Sequence, residues 1–262
     1  MTLFRILSHG RTGLSRWKPS GKAGVRAYAI GDIHGCLDLL DALLERIEAD
    51  AAARSPKRTW IVFLGDLIDR GPDSAGVIER LRDYRPDFAT PVFLAGNHEE
   101  VLLRTLGGEP EILADWLKFG GAECVASYGL DADSLKRMQP AEAAAKIRER
   151  IPAAHHEFLE SFADTFRFGD YLFVHAGIRP GVELEQQDQF DLRWIREPFL
   201  SDEEEHGVVV VHGHTIANRV EERRNRIGLD TGAYQSGVLT AMGVEDDERW
   251  FLSTGEGAGA MR

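Results

Sequence analysis

Trp60-Ile61-Val62-Phe63-Leu64-Gly65-Asp66-Leu67-Ile68-Asp69-Arg70-Gly71-Pro72 is an apolar run of strand length that ends in a glycine-bounded turn holding two carboxylates and a guanidinium. Directly after Gly71-Pro72, Ser74 to Tyr84 places Val77, Ile78 and Leu81 at helical spacing. Upstream, Tyr28-Ala29-Ile30 runs into Gly31-Asp32-Ile33-His34-Gly35. After Gly35, Leu37, Leu40, Leu44 and Ile47 recur at steps of three and four with Asp38, Asp41, Glu45 and Glu48 between them, the pattern of an amphipathic helix covering a sheet. Downstream, Val92 to Ala95 runs into Gly96-Asn97-His98-Glu99. Strand, helix, strand, helix, strand implies a parallel sheet with right-handed crossovers, so the chain is an α/β protein. The carboxyl ends of such strands lie side by side, and residues remote in sequence converge there on one crevice.

The segment from Glu99 to about Asp164 changes character. It is rich in Ala, Leu, Glu and Arg, has helical stretches at Glu111 to Phe119 and Ala141 to Arg150, and shows no strand pattern until Thr165. It reads as a helical insertion over about 99–164, placed to select substrates. The remainder returns to β structure at Tyr171 to His175, Val208 to Val211, Arg226 to Leu229, Val238 to Met242 and Trp250 to Leu252, with few helices between. Antiparallel strands or a second sheet are therefore expected. Two of these runs again stop at candidate ligands, His175 after Val174, and His212 and His214 after Val211. Five apolar runs thus end at residues that bind metals or handle protons, which points to a two-metal hydrolytic site.

With 262 residues, 43% of them hydrophobic, the chain can bury a full core, and one domain is expected over 25–262. Two cysteines, Cys36 and Cys124, provide neither a disulfide framework nor a thiolate metal pattern, which suits a reducing compartment. No apolar stretch has the length of a membrane helix, and the amino terminus lacks the apolar core of a secretory signal, so a cytoplasmic protein with no membrane partner is expected. Residues 1–24 carry Arg5, Arg11, Arg16, Lys18 and Lys22 with no acid, and are expected to be a flexible basic leader. Setting those five aside from the 31 basic residues leaves 26 against 43 acidic ones. So acidic a body repels a phosphate backbone, and no nucleic-acid partner is expected. The run Asp202 to Glu205 reads as an exposed loop.

Oxygen and imidazole donors without sulfur suit Mn²⁺, Fe or Zn²⁺. A carboxylate such as Asp66 has two oxygens and four lone-pair sites, enough to bridge two ions. A single Gly-Asp pair after a strand is ordinarily a plain turn. Three glycine-bounded motifs in order, each after a strand-like run, are specific in a way none is alone. No Gly-x-x-x-x-Gly-Lys phosphate loop, serine nucleophile elbow or cysteine phosphatase motif occurs, so rival hydrolytic mechanisms lack their parts.

On these motifs, together with His175-Ala176-Gly177, Trp194-Ile195-Arg196 and Gly213-His214-Thr215, the chain resembles bacterial PPP-type phosphoprotein phosphatases of the calcineurin-like metallophosphoesterase superfamily from about Arg26 to Leu252. The resemblance implies a β-sandwich flanked by helices (α/β/β/α), with the helical insertion added. It implies two divalent ions, Mn²⁺ foremost, with Asp32 and His34 on the first, Asp66 bridging, and Asn97, His175 and His214 completing the second. His212 competes for the last place, and the match of His-Thr after Gly favours His214. His98 matches the family's proton donor, Asp69 the carboxylate that orients it, and Arg70 and Arg196 the phosphate-binding arginines. Arg193, one helical turn away, competes with Arg196.

The chemistry expected is in-line attack on phosphorus by a metal-bridging hydroxide, since two ions can lower the pKa of water from 15.7 toward about 7. Planar guanidinium groups contact two phosphoryl oxygens at once, and His98 protonates a poor alkoxide leaving group. The partner expected is a phosphorylated protein or a small phosphoester, with serine/threonine protein phosphatase the leading reading. Symmetrical dinucleoside-polyphosphate (Ap4A-type) hydrolase is the alternative, and a non-catalytic regulatory binding protein a remote one. Asp69 and Glu99 tilt toward the phosphatase, because the symmetrical diadenosine-tetraphosphate hydrolases usually replace both. His155 and His156, inside the insertion, read as surface or capping residues, Asp230-Thr231-Gly232 as a turn, and Tyr234 as overlooking the site.

Overall fold

The computed structural model describes residues 17–255. β1 (Val25–Ile30), α1 (Leu37–Ala53), β2 (Arg58–Phe63), α2 (Ser74–Arg82) and β3 (Ala89–Phe93) alternate as the apolar spacing predicts. β1, β2 and β3 are parallel neighbours, with Tyr28 opposite Ile61 and Ile61 opposite Pro91. The insertion comprises α3 (Asn97–Gly107), α4 (Leu113–Trp116), α5 (Ala122–Ser127), α6 (Ala132–Lys136), α7 (Pro140–Arg150) and α8 (Ala153–Glu160). There follow β4 (Thr165–Phe168), β5 (Tyr171–Val174), α9 (Gln189–Trp194), β6 (Val209–His212), β7 (Glu221–Glu222), β8 (Arg226–Gly228), α10 (Ala233–Ser236), β9 (Thr240–Glu245) and β10 (Glu248–Ser253).

Two five-stranded sheets result, ordered β10-β9-β1-β2-β3 and β4-β5-β6-β8-β7. The second half therefore supplies both a second sheet and the antiparallel hairpin β9-β10 that widens the first. Because strand side chains alternate between faces, Ala27, Ala29, Val62 and Leu64 point inward and meet Phe173, Val209, Val211 and Ile227 of the other sheet. Their neighbours Tyr28, Ile30, Ile61 and Phe63 point outward to α1, α2 and the insertion. On the far side, Leu172, Val174 and Val210 pack under Leu192, Ile195 and Phe199. This is the helix, sheet, sheet, helix layering of the expected fold. Leu102, Trp116, Val125 and Ile147 of the insertion belong to the same buried cluster as α1 and α2, so it grows out of the main core.

Three expectations change. The helix expected over Glu111 to Phe119 breaks: α4 has four residues, and the following turn contains Gly120 at φ 122° and Phe119 at φ −96°, ψ 19°. His155 is not on the surface. It is 4% exposed, with Nδ1 2.9 Å from the Tyr128 hydroxyl and Nε2 2.9 Å from the Glu79 carboxylate, so it ties α8 to α2. The helical phase of α8 turns it inward toward a carboxylate 76 residues away, a partner that local sequence does not reveal. His156 does stay near the surface, 3.4 Å from Glu160. Most of the basic leader, residues 1–16, lies outside the described residues. Its last part is tied down, with Ser20 N–H donating to Asp170 at 2.9 Å and Gly21 N–H to the Asp246 carbonyl at 2.7 Å. Among the described residues no helix is long and apolar enough to cross a membrane.

Candidate metal centre

The loops after β1, β2, β3, β5 and β6 meet at one end of the paired sheets, stitched together through their backbones. Ile33 and His34 N–H donate to the Asp66 carbonyl at 3.1 and 2.9 Å, Gly35 N–H to Leu67 at 2.8 Å, and Gly213 N–H to His175 at 2.8 Å. Six non-glycine residues among those described have positive φ, and five are expected site residues: His34 (46°), Asp66 (50°), Asp69 (73°), Arg70 (64°) and His214 (62°). Each such conformation costs on the order of 1–3 kcal/mol and persists only where its surroundings over-determine it. Gly65, at φ 96°, allows the closest approach, since a Cβ there would stand 2.6 Å from Gly96 N.

Two overlapping groups of buried side chains can each hold a metal ion, His34 with Asp66 and His98, and Asp66 with His175 and His214. Asp66 is common to both, its Oδ2 3.6 Å from His34 Nε2 and its Oδ1 3.4 Å from His175 Nε2. The tautomers follow from what stands behind each ring. His34 Nδ1 is 2.8 Å from the Ile68 carbonyl, and His175 Nδ1 is 2.8 Å from the Leu64 carbonyl; a carbonyl only accepts, so Nδ1 carries the proton and Nε2 presents a lone pair. His175 Nε2 also lies 3.0 Å from Asn97 Oδ1. With the amide oxygen facing it, three acceptor atoms crowd together with no hydrogen among them. His214 Nε2 is buried and has no partner either. Apart from the His98 N–H that reaches Asp66 Oδ1 at 3.1 Å, these nitrogen and oxygen lone pairs face one another without a donor, a set that fits hard or borderline divalent cations.

Electrostatics point the same way. Burial pushes His34 down to about 3, and burial, His175 and Arg196 hold His214 far below the ordinary histidine value, so both rings stay neutral at neutral pH. Burial works against ionising Asp66, yet the imidazoles around it, His175 and then His98 foremost, outweigh that when protonated and keep its carboxyl well below the usual range. Asp32, expected on the first ion, is in neither group; it lies alongside, both its oxygens accepting the His214 backbone N–H at 3.2 and 3.0 Å.

His98, the expected proton donor, is a member of the first of these groups and stands on the first turn of α3. Its Nδ1 donates to Asp69 Oδ2 at 2.6 Å, and its Nε2 lies 3.9 Å from Asp66. Burial disfavours the charged ring, but Asp66 and Asp69 together raise its pKa above the usual histidine value. The Arg70 guanidinium donates to His34 Nε2 at 2.9 Å and sits 5.1 Å from the ring centroid of Tyr234, which overlooks the site as expected. Arg196 is exposed and adds to burial in lowering the pKa of His214. Of the two competitors, Arg193 is held by Asp164 at 2.7 Å and Glu100 at 3.4 Å while still near enough to His175 to add to burial in lowering its pKa, and the His212 ring packs onto Phe199, 5.2 Å between centroids.

Two buried carboxylates have larger roles than the sequence suggests. Glu99 accepts three backbone N–H groups, from Gly96 and Asp66 at 2.9 Å and Leu67 at 2.8 Å, and so clamps the loops after β2 and β3 together. Burial and then Asp66 push it up to about 7, against those donors. Its place three residues after Gly96, the N-cap of α3, is a capping-box position, the signal that could have found it. Glu99→Gln should lower stability by about 2–3 kcal/mol in urea unfolding, because an amide presents N–H where backbone donors need an oxygen; an unchanged midpoint would show the clamp to be dispensable. Asp230 lies buried beside Asp32 and caps its own turn, accepting from Gly232 N–H at 2.8 Å.

A family model described as calcineurin-like phosphoesterase matches residues 25–237. Among curated proteins, the chain is 30% identical over 228 residues to serine/threonine-protein phosphatase 1 of Salmonella typhimurium, covering 83% of this chain and 91% of that one. It is 35% identical over 153 residues to a symmetrical bis(5'-nucleosyl)-tetraphosphatase of Dechloromonas aromatica, where the match covers 58% of this chain and spans only 44% of the relative's length. Among solved structures, a cold-active protein-tyrosine phosphatase of a psychrophilic Shewanella shares the fold with a TM-score of 0.56 at 18% identity, over 88% of this chain and 78% of that one.

Proposed function

Because the chain belongs to the calcineurin-like phosphoesterases, we propose that it is a dinuclear-metal-dependent phosphomonoester hydrolase acting on phosphoserine and phosphothreonine in proteins. The observation that carries this reading is the meeting of the Asp66, Asn97 and His175 acceptor atoms beside the unpartnered His214 Nε2. Asp32 and His34 would hold one ion, Asn97, His175 and His214 the other, and Asp66 both. When bound, such ions, for which the oxygen and imidazole donors suit Mn²⁺, Fe or Zn²⁺, would acidify water into a nucleophile at neutral pH and offset charge developing on phosphorus.

The chain's own residues do the rest. Arg70 and Arg196 offer planar N–H forks that grip the phosphoryl oxygens and hold the group in line. His98, with Nδ1 fixed by Asp69, gives a proton from Nε2 to the departing alkoxide, which is too basic to leave unprotonated.

A second reading, hydrolysis of dinucleoside polyphosphates, is supported by the similarity to the tetraphosphatase of Dechloromonas aromatica. Glu99 and Asp69, both buried and both bonded into the site, favour the phosphatase. The test is purified protein with Mn²⁺ and a panel of phosphoserine peptide, phosphotyrosine peptide and diadenosine tetraphosphate, with products separated chromatographically. Preferential release of phosphate from the phosphoserine peptide is expected. Preferential cleavage of diadenosine tetraphosphate would replace the first reading with the second.

A further inference from the structure

Asp69 Oδ2 accepts from two buried donors. One is His98 Nδ1–H at 2.6 Å, and the other is the indole Nε1–H of Trp116 at 2.9 Å. Trp116 is 3% exposed and closes α4 inside the insertion, 47 residues along the chain. Asp69 Oδ1 is buried with no hydrogen-bond partner among the described residues. Without the indole, Oδ2 would keep His98 as its one nitrogen donor among the described residues, and the carboxylate would be less firmly fixed about its Cβ–Cγ bond.

The break after α4 builds the contact. Gly121 lies flat against the indole, since a Cβ there would stand 2.7 Å from Trp116 Nε1, so the ring is fixed in place. Gly120, at φ 122°, turns its carbonyl to accept the Arg70 N–H at 3.0 Å, and a Cβ there would come within 2.9 Å of Arg70 N. Ser74 Oγ accepts the Asp69 N–H at 2.9 Å from the other side. The two left-handed residues Asp69 and Arg70 are thus gripped between α2 and the insertion.

We propose that Trp116 is a positioning residue for proton donation: its indole N–H locks the Asp69 carboxylate in the orientation that aims His98 at the leaving group. The insertion is then part of the proton-transfer machinery as well as a wall of the site. This rests on reading His98 as the proton donor. The fixed carboxylate holds the imidazole in one tautomer and one direction, so loss of the indole donor should matter only where the departing oxygen needs a proton.

The experiment compares wild type, Trp116→Phe, His98→Ala and the double variant on a phosphoserine peptide and on 2,4-dinitrophenyl phosphate, whose leaving group needs no proton. A second form with the benzothiophene isostere of tryptophan at position 116 removes the N–H and keeps the ring volume. Both changes at 116 should lower kcat on the phosphopeptide about 10-fold with KM little changed, spare the activated ester, and add nothing in the His98→Ala background. Independently of turnover, the indole N–H resonance missing from Trp116→Phe should shift in Asp69→Asn. Equal losses on both substrates, a further loss in the double variant, or an unmoved resonance would reduce Trp116 to a core residue. If His98→Ala itself loses equally on both substrates, the donor role fails and the proposal with it; a normal His98→Ala pattern with an unresponsive Trp116→Phe removes Trp116 alone.

Discussion

Asp66→Asn should lower kcat/KM for phosphoester hydrolysis on the order of 10³-fold or more, in a protein that remains folded. Asp66 is the side chain shared by both metal-binding groups, with one oxygen toward His34 and the other toward His175. An amide keeps one acceptor and replaces the second with an N–H₂ that repels a cation and offers it no lone pair. The backbone role survives, because the His98 N–H that donates to Oδ1 at 3.1 Å can donate equally to an amide oxygen. A large loss of turnover with an intact circular dichroism spectrum is therefore expected at saturating Mn²⁺. Activity within a few-fold of wild type would mean that this carboxylate does not link two ions.

His98→Ala should separate substrates by leaving group. For a phosphoserine peptide the loss should lie at 10²–10⁴-fold, the usual worth of a placed general acid, while 2,4-dinitrophenyl phosphate should be nearly unaffected. The reason is local: His98 Nδ1 is committed to Asp69, its Nε2 faces the cluster, and the flanking carboxylates favour the protonated ring despite burial. Initial rates across a series of aryl and alkyl phosphates measure this directly. A uniform loss across the series would assign His98 to binding or to structure.

Much of this architecture is legible in the sequence because strand ends carry local signals. A run such as Trp60 to Leu64 followed by Gly65-Asp66 marks both the strand and the place where the chain must turn, and the strained φ of Asp66 lies where that glycine boundary predicts a turn. The choice between His214 and His212 could have been sharpened further. With period-two alternation, Val208, Val210 and His212 share one face, and the first two lie in the outer cluster with Phe199. His214 sits past the strand end, where a positive φ turns it back to the site.

What could not be read depends on contacts between distant segments. Trp116 looks like any core aromatic in a helix until the fold places it on Asp69. His155 looks like a surface histidine until α2 supplies Glu79. The helix predicted over Glu111 to Phe119 fails because local propensity says nothing of Gly120 reaching for the Arg70 backbone. Glu99 is intermediate: its capping-box spacing is local, but its donors at Asp66 and Leu67 come from another strand.

The most direct measurement is a crystal structure of the Mn²⁺-loaded protein with anomalous diffraction recorded at the manganese edge. Two peaks about 3.5–4 Å apart are expected, one against Asp32, His34 and Asp66 and the other against Asp66, Asn97, His175 and His214. A single peak, or manganese bound away from Asp66, would contradict a shared dinuclear centre.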